Sequence, residues 1–331
     1  MSEPTESRRQ RAARRAGEFP PAPEPLPVPV LDSHTHLDIT AGEAGAPPAG
    51  PPTTDGVPPA GPPTTDGVPP AGPPTTDGVP PDGPAATDGD PVAALIAAAE
   101  RVGVDRLVQV GVDVESSRWG AELAARHPRV LATVALHPNE APRLADLDEA
   151  LREIESLAGL ERVRGIGETG MDFFRTGEEG RAAQETSFRA HIAIAKRYGK
   201  ALVIHDRDAH ADVLRILDDE GAPDTVVLHC FSGDAEFAAE CVRRGYLLSF
   251  AGTVTFASAG ALREAARITP PDQLLVETDA PYLTPTPHRG RPNASYLVPL
   301  TVRALADSTG ADLGKLCEAI SAAGDRTFGP W

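Results

Sequence analysis

Aromatic side chains are scarce: nine Phe, four Tyr and two Trp make up 5% of the 331 residues. A core built on aromatic stacking is therefore excluded, and the 40% hydrophobic content must come mainly from Ala, Val, Leu and Ile. Those are the residues that parallel strands beneath helices require. Cysteine is nearly absent too. Cys230, Cys241 and Cys317 form an odd set without paired spacing, which excludes a disulfide framework and fits reduced thiols in a cytoplasmic protein. Basic residues are outnumbered, 31 Lys and Arg against 48 Asp and Glu, for a formal net charge of -17. Coating nucleic acid non-specifically needs many cations against phosphates, so that class is excluded, while a small basic patch beside a site is not. No apolar run approaches the roughly 18 residues of a membrane helix, and the amino terminus lacks a signal-peptide apolar centre. Arg8-Arg9 and Arg14-Arg15 look superficially like a twin-arginine export signal, but Pro20-Pro21-Ala22-Pro23 stands where such a signal is hydrophobic. Residues 1–27 are read as a disordered basic, Pro-rich tail. No membrane association and no obligate protein partner is expected.

Proline and glycine are abundant, at 35 and 31 residues, and much of the excess is local. Pro-Pro-Ala-Gly-Pro-Pro-Thr-Thr-Asp-Gly-Val begins at Pro47, recurs unchanged from Pro58 and Pro69, and is followed by a degenerate copy from Pro80 to Asp90. Such a segment sustains neither helix nor central strand, and it has too few apolar groups to offset ordering entropy. It follows Asp32-Ser33-His34-Thr35-His36 closely, so residues 41–90 are a disordered loop insertion within the domain 28–331, not an interdomain linker. An inert expansion is favoured over a lid or tether, because long loops add little closure entropy.

Elsewhere, strand-like apolar runs alternate with helical patterns, which marks a parallel α/β fold. Strands are predicted at Val28–Asp32, Arg106–Gly111, Val130–Leu136, Val163–Gly167, Ala201–His205, Thr225–His229, Tyr246–Phe250 and Leu274–Thr278. Helices are predicted around Val92–Val102, Glu115–Arg126, Leu144–Leu157, Glu179–Tyr198, Ala209–Asp219, Ala235–Arg244, Ala259–Arg267 and Tyr296–Ser308. Eight such units predict a (β/α)8 TIM barrel of about 250 residues. An open doubly wound sheet is the runner-up, but no Gly-rich dinucleotide fingerprint follows an early strand.

In such a barrel the chemistry sits at the carboxyl ends of the strands, and metal-ligand residue types gather there. His34 and His36 end the first strand with a spacing that puts both imidazoles on one face. Glu168 ends the fourth strand, His205 the fifth, His229 the sixth, and Asp279 closes the eighth. Each has an ordinary explanation taken singly, such as a solvated carboxylate, a core histidine or a helix cap. Four histidines and two carboxylates together point to metal. Imidazole with carboxylate suits Zn²⁺, Mn²⁺ or Co²⁺ more than Mg²⁺. Six ligands exceed one tetrahedral site, so two divalent ions about 3.5–4 Å apart sharing one carboxylate are expected, with Glu168 as the bridging candidate.

Five blocks resemble the signatures of the TatD family of deoxyribonucleases: Asp32 to Asp38, Gly167-Glu168-Thr169-Gly170-Met171-Asp172, Val203 to Ala209, Leu228 to Gly233, and Glu277-Thr278-Asp279-Ala280-Pro281-Tyr282-Leu283. The likeness runs from about Val30 to the end. It implies an amidohydrolase-type barrel and a two-metal nuclease, with one ion on His34, His36, Glu168 and Asp279 and the second on Glu168, His205 and His229. Thr35 stands where the family often has Cys, and the insertion replaces a normally short connection.

The implied reaction is attack on phosphorus by a water that both ions activate, with Asp279 taking its proton. Glu168 and Asp279 are thus the catalytic candidates. Glu277 is expected to orient a histidine, and Cys230 to pack. Arg207, Arg289 and Arg291 are candidates to grip phosphate through their guanidinium forks, joined by His137, Asp172 and Asn293. The expected substrate is DNA, single-stranded or frayed, trimmed from an end. The competing classes are an amide or ester hydrolase on the same barrel, such as an aminoacyl-tRNA deacylase, and a scaffold protein acting through the repeats.

Overall fold

The computed structural model describes residues 18–43 and 89–331. The repeats and the Arg8–Arg15 run lie outside the described residues. Eight parallel strands are hydrogen-bonded in sequential order: β1 (Val30–Thr35), β2 (Val104–Val110), β3 (Val130–Val134), β4 (Val163–Asp172), β5 (Ala201–Arg207), β6 (Val226–Leu228), β7 (Leu247–Phe250) and β8 (Leu274–Val276). The ring closes between β8 and β1 at their carboxyl ends. There Thr35 bridges Ala280, the His36 amide donates to the Ala280 carbonyl at 2.9 Å, and the Asp279 amide donates to the His34 carbonyl at 2.9 Å. Deeper in the seam the buried Asp32 carboxylate replaces the missing ladder, accepting from the Thr278 amide at 2.9 Å and from its hydroxyl at 2.5 Å.

Helices surround this ring: α1 (Leu37–Glu43), α2 (Pro91–Arg101), α3 (Val114–Arg126), α4 (Leu147–Ala158), α5 (Glu178–Tyr198), α6 (His210–Glu220), α7 (Ala235–Arg243), α8 (Gly260–Ile268), α9 (Val298–Thr309) and α10 (Leu313–Phe328). Five of the aspartates behind the acidic balance cap them. Asp90, Asp113, Asp146, Asp234 and Asp312 each accept from backbone amides of a first turn, satisfying donors that a helix leaves unpaired. β1 and β3 are buried along their whole length, as strands covered on both faces must be.

Three differences from expectation bear on the site. First, β3, β6 and β8 end before His137, His229 and Asp279, so these side chains stand on the first residues of the loops rather than on the strands. β4 instead continues to Asp172. Secondly, α1 and α10 were not expected. α1 starts within the motif itself, and its first amide is held by the buried Gln109 side chain at 2.7 Å. α10 follows the eighth unit and packs so closely that a Cβ at Gly324 would meet the Leu31 side chain at 2.5 Å. Thirdly, residues 18–27, expected to belong to a disordered tail, lie against the barrel as a strap. The Tyr296 hydroxyl donates to the Pro20 carbonyl at 2.6 Å, the Leu26 amide to the Val102 carbonyl at 3.0 Å, and Leu26 is buried. Apolar residues spaced along an otherwise Pro-rich stretch are what hold it there. Among the described residues no helix is long and apolar enough to cross a membrane.

Candidate metal centre

The carboxyl end of the ring brings His34, His36, Glu168, His205, His229 and Asp279 together, with His137 beside them. Glu168 is central. One carboxylate oxygen lies 2.6 Å from Nδ1 of His205, 2.8 Å from Nε2 of His229 and 3.3 Å from Nε2 of His137. The other lies 3.5 Å from Nε2 of His34. Asp279 stands 3.5 Å from Nε2 of His36 and 3.7 Å from Nε2 of His34. The glycines around Glu168 make this approach possible: a Cβ at Gly167 would run into the backbone of Val203, and one at Gly170 into the carbonyl of His205.

The histidines are aimed by partners behind them, as metal-ligating imidazoles generally are. Nδ1 of His36 lies 3.3 Å from the Val110 carbonyl, leaving Nε2 for the cluster. Nδ1 of His229 lies 3.2 Å from Glu277, whose same oxygen accepts from the Cys230 amide at 2.8 Å. Nε2 of His205 lies 3.2 Å from Asp172. That aspartate is itself fixed by the Asn139 amide group at 3.0 Å and by the amides of Phe174 and Arg175 at 2.9 and 2.7 Å. Asn139 escaped the sequence reading, although it lies two residues after His137 in the same strand-end loop.

The electrostatics favour a cation. Burial opposes the charged form of Glu168, yet the charges of His229 and His137 hold its carboxyl well below the usual range. Burial likewise opposes protonation of His229, but Glu168 and Glu277 lift its pKa well above the usual value. Asp279 is lowered despite burial, by His36, His34 and His229. A positive charge is thus stabilised here. Burial and the charge of His229 push the His34 pKa down, and both its ring nitrogens are buried without a hydrogen-bond partner. A buried unsatisfied imidazole is costly, and a metal ion is the partner its chemistry fits. Among the described residues three groups can hold one: His34, Glu168 and His229; His34, His36 and Asp279; and His137, Glu168 and His205.

The remaining expected substrate contacts divide. Arg207 and Arg289 stand at the mouth, over the rings of Phe174 and Phe256 at 4.1 and 4.0 Å. Arg291 turns away, donating to the Glu18 carbonyl at 3.0 Å and also to that of Phe19. Asn293 is fully buried and donates to the Thr278 carbonyl at 2.9 Å and to that of Tyr282, bracing the loop that carries Asp279.

An eight-unit barrel with histidines and carboxylates converging at its carboxyl end is the architecture of a metal-dependent hydrolase of the amidohydrolase-like class. Residues 80–329 match the family model described as TatD related DNase. The chain belongs to this family and is a TatD-family metal-dependent hydrolase. It is 51% identical over 222 residues, covering 66% of this chain and 83% of the relative, to a Mycobacterium tuberculosis protein named as an uncharacterized metal-dependent hydrolase, TatD. It is 35% identical over 244 residues, 71% of this chain and 90% of the relative, to a Citrobacter rodentium protein named 3'-5' ssDNA/RNA exonuclease TatD. The crystal structure of YjjV, a TatD homologue from Escherichia coli, superposes with a TM-score of 0.68 at 24% identity, covering 71% of this chain and 91% of that one. That likeness speaks to the fold.

Proposed function

We propose that the protein hydrolyses phosphodiester bonds in single-stranded DNA, working inward from an end, with two divalent cations held by His34, His36, Glu168 and Asp279 and by Glu168, His205 and His229. The observation that carries this reading is the position of Glu168, whose two oxygens face His34 on one side and His205 and His229 on the other. One carboxylate can thereby serve two neighbouring sites. The exonuclease name of the 35% identical relative supports nucleic acid as the substrate. The unpaired cysteines are in keeping with a reducing, cytoplasmic setting.

A cation pair bound there supplies an acidified water and polarises phosphoryl oxygens. The chain's own groups do the rest. An oxygen of Asp279, at the mouth and flanked by His34 and His36, accepts the proton of the attacking water. Glu277 and Asp172 keep His229 and His205 in orientation. His137, with Nε2 facing the cluster, is placed to donate to a phosphate oxygen.

The test is digestion of end-labelled single-stranded DNA with Mg²⁺, Mn²⁺, Zn²⁺ or Co²⁺, alongside metal analysis and parallel ester and amide substrates. Progressive shortening by the wild type, lost in Glu168→Ala, is expected. Intact DNA under every metal, or identical behaviour of the variant, would overturn the proposal, and turnover of only the ester or amide substrates would replace it with carbonyl hydrolysis.

A further inference from the structure

The barrel mouth carries two pairings of an arginine with a phenylalanine. Arg207 ends β5 and covers Phe174, which follows β4. Arg289, in the loop after β8, covers Phe256, in the loop after β7. Phe174 is 64% exposed and Tyr282 52%, and these two are the most exposed large apolar side chains among the described residues. In a chain so poor in aromatics, both stand at one end of the barrel.

Their supports are rigid. The Phe174 amide donates to Asp172, whose other oxygen is on His205, so that this pair is two contacts from the cluster. At the other pair, Arg263 donates to the Val254 and Phe256 carbonyls at 3.0 and 2.8 Å. The Thr286 amide donates to the Thr255 hydroxyl at 2.8 Å, locking the two loops together. Around the ring the pairs stand at β4–β5 and at β7–β8, with β6 and the His229 that follows it between them. The Tyr282 ring stands 6.3 Å from that of His36.

A guanidinium lying over a phenyl ring makes a broad flat surface that is both cationic and apolar. Unpaired nucleobases stack on such surfaces irrespective of sequence. With a net charge of -17, the protein gains little from overall attraction to phosphate, whereas stacking is indifferent to net charge. We propose that Phe174–Arg207 and Phe256–Arg289 are base-stacking platforms that hold a single strand at the barrel mouth. The proposal rests on the nuclease reading and adds that bases, rather than phosphates alone, are gripped. Duplex is rejected because its bases are already stacked.

The experiment measures binding of a labelled thymidine strand and of an equally long strand of abasic sugars to the wild-type holoenzyme with Ca²⁺ in place of the activating cation, together with metal affinity by competition with a chelating dye and digestion of end-labelled DNA under activating metal. The thymidine strand should bind about tenfold tighter than the abasic one. Phe174→Ala and Phe256→Ala should each erode that preference with metal affinity unchanged, and Phe174→Trp should keep it. Equal binding of the two strands by the wild type, or a preference untouched in both Ala variants, overturns the platforms. Base-dependent binding with no cleavage of DNA under any metal would instead sink the nuclease reading and leave the platforms standing.

Discussion

Glu277 illustrates how much of the centre rests on residues that touch no substrate. Its carboxylate is fully buried and its one partnered oxygen holds both the His229 ring and the Cys230 amide. Glu277→Gln should keep the fold and lower metal affinity about 10–100-fold, as read by competition with a chelating dye. His191 plays a similar part outside the cluster. It is fully buried, accepts from the Leu136 amide at 3.0 Å, and donates through Nδ1 to the Ser187 carbonyl at 2.7 Å, fixing the chain one residue before His137. Burial, against the Ser187 carbonyl, pushes its pKa down from 6.5 to about 4. The unfolded chain therefore takes up a proton that the folded one refuses. The stability contribution is full above 6.5 and declines as pH falls towards about 4. From about pH 7 to about pH 5 the wild type should lose about 2 kcal/mol more than His191→Gln does, measured by urea unfolding of both proteins.

Among the elements, the strap of residues 18–27 shows what a sequence pattern leaves out. Its carbonyls are collected one by one, by Arg291, by Tyr296 and by Arg303 on Pro25. Tyr296→Phe leaves the Pro20 carbonyl without its donor and should cost about 1 kcal/mol, visible as a lowered urea midpoint with metal binding intact. The eight strands were legible because each is a short apolar run bounded by turn residues. The cluster was legible because histidines and carboxylates of metal-ligand type gather at the carboxyl ends of those runs. Arg291 and Asn293 are told apart from the other expected contacts only by the three-dimensional path of their long loop, on which they donate to carbonyls of residues far away in sequence or across the loop. α1 and α10 escaped because one begins inside the metal motif and the other lies beyond the last repeating unit. The Arg–Phe pairs join loops that follow different strands, which no local spacing reveals.

Taken as a whole, the molecule is a barrel whose described ends, at Glu43 and Gly89, flank the Pro-rich insertion. α2 is capped by Asp90, the last residue of the degenerate copy, which accepts from the Val92 amide at 2.9 Å, so its start requires nothing from the repeat residues before Gly89. Deleting residues 47–88 should leave the unfolding midpoint and the rate on DNA unchanged within about twofold, since shortening a loop alters closure entropy only logarithmically. Thermal melts and end-labelled digestion of the two proteins check this.

The seam between β8 and β1 has a consequence for loading. Few main-chain bonds join the first strand to the last, yet His34 and His36 stand on one side of that junction and Asp279 on the other. A cation gripping all three would act as a clasp on a bracelet, so adding Zn²⁺ should slow the opening of this junction more than that of any other, and amide exchange at Asp279 and His36 should report it first.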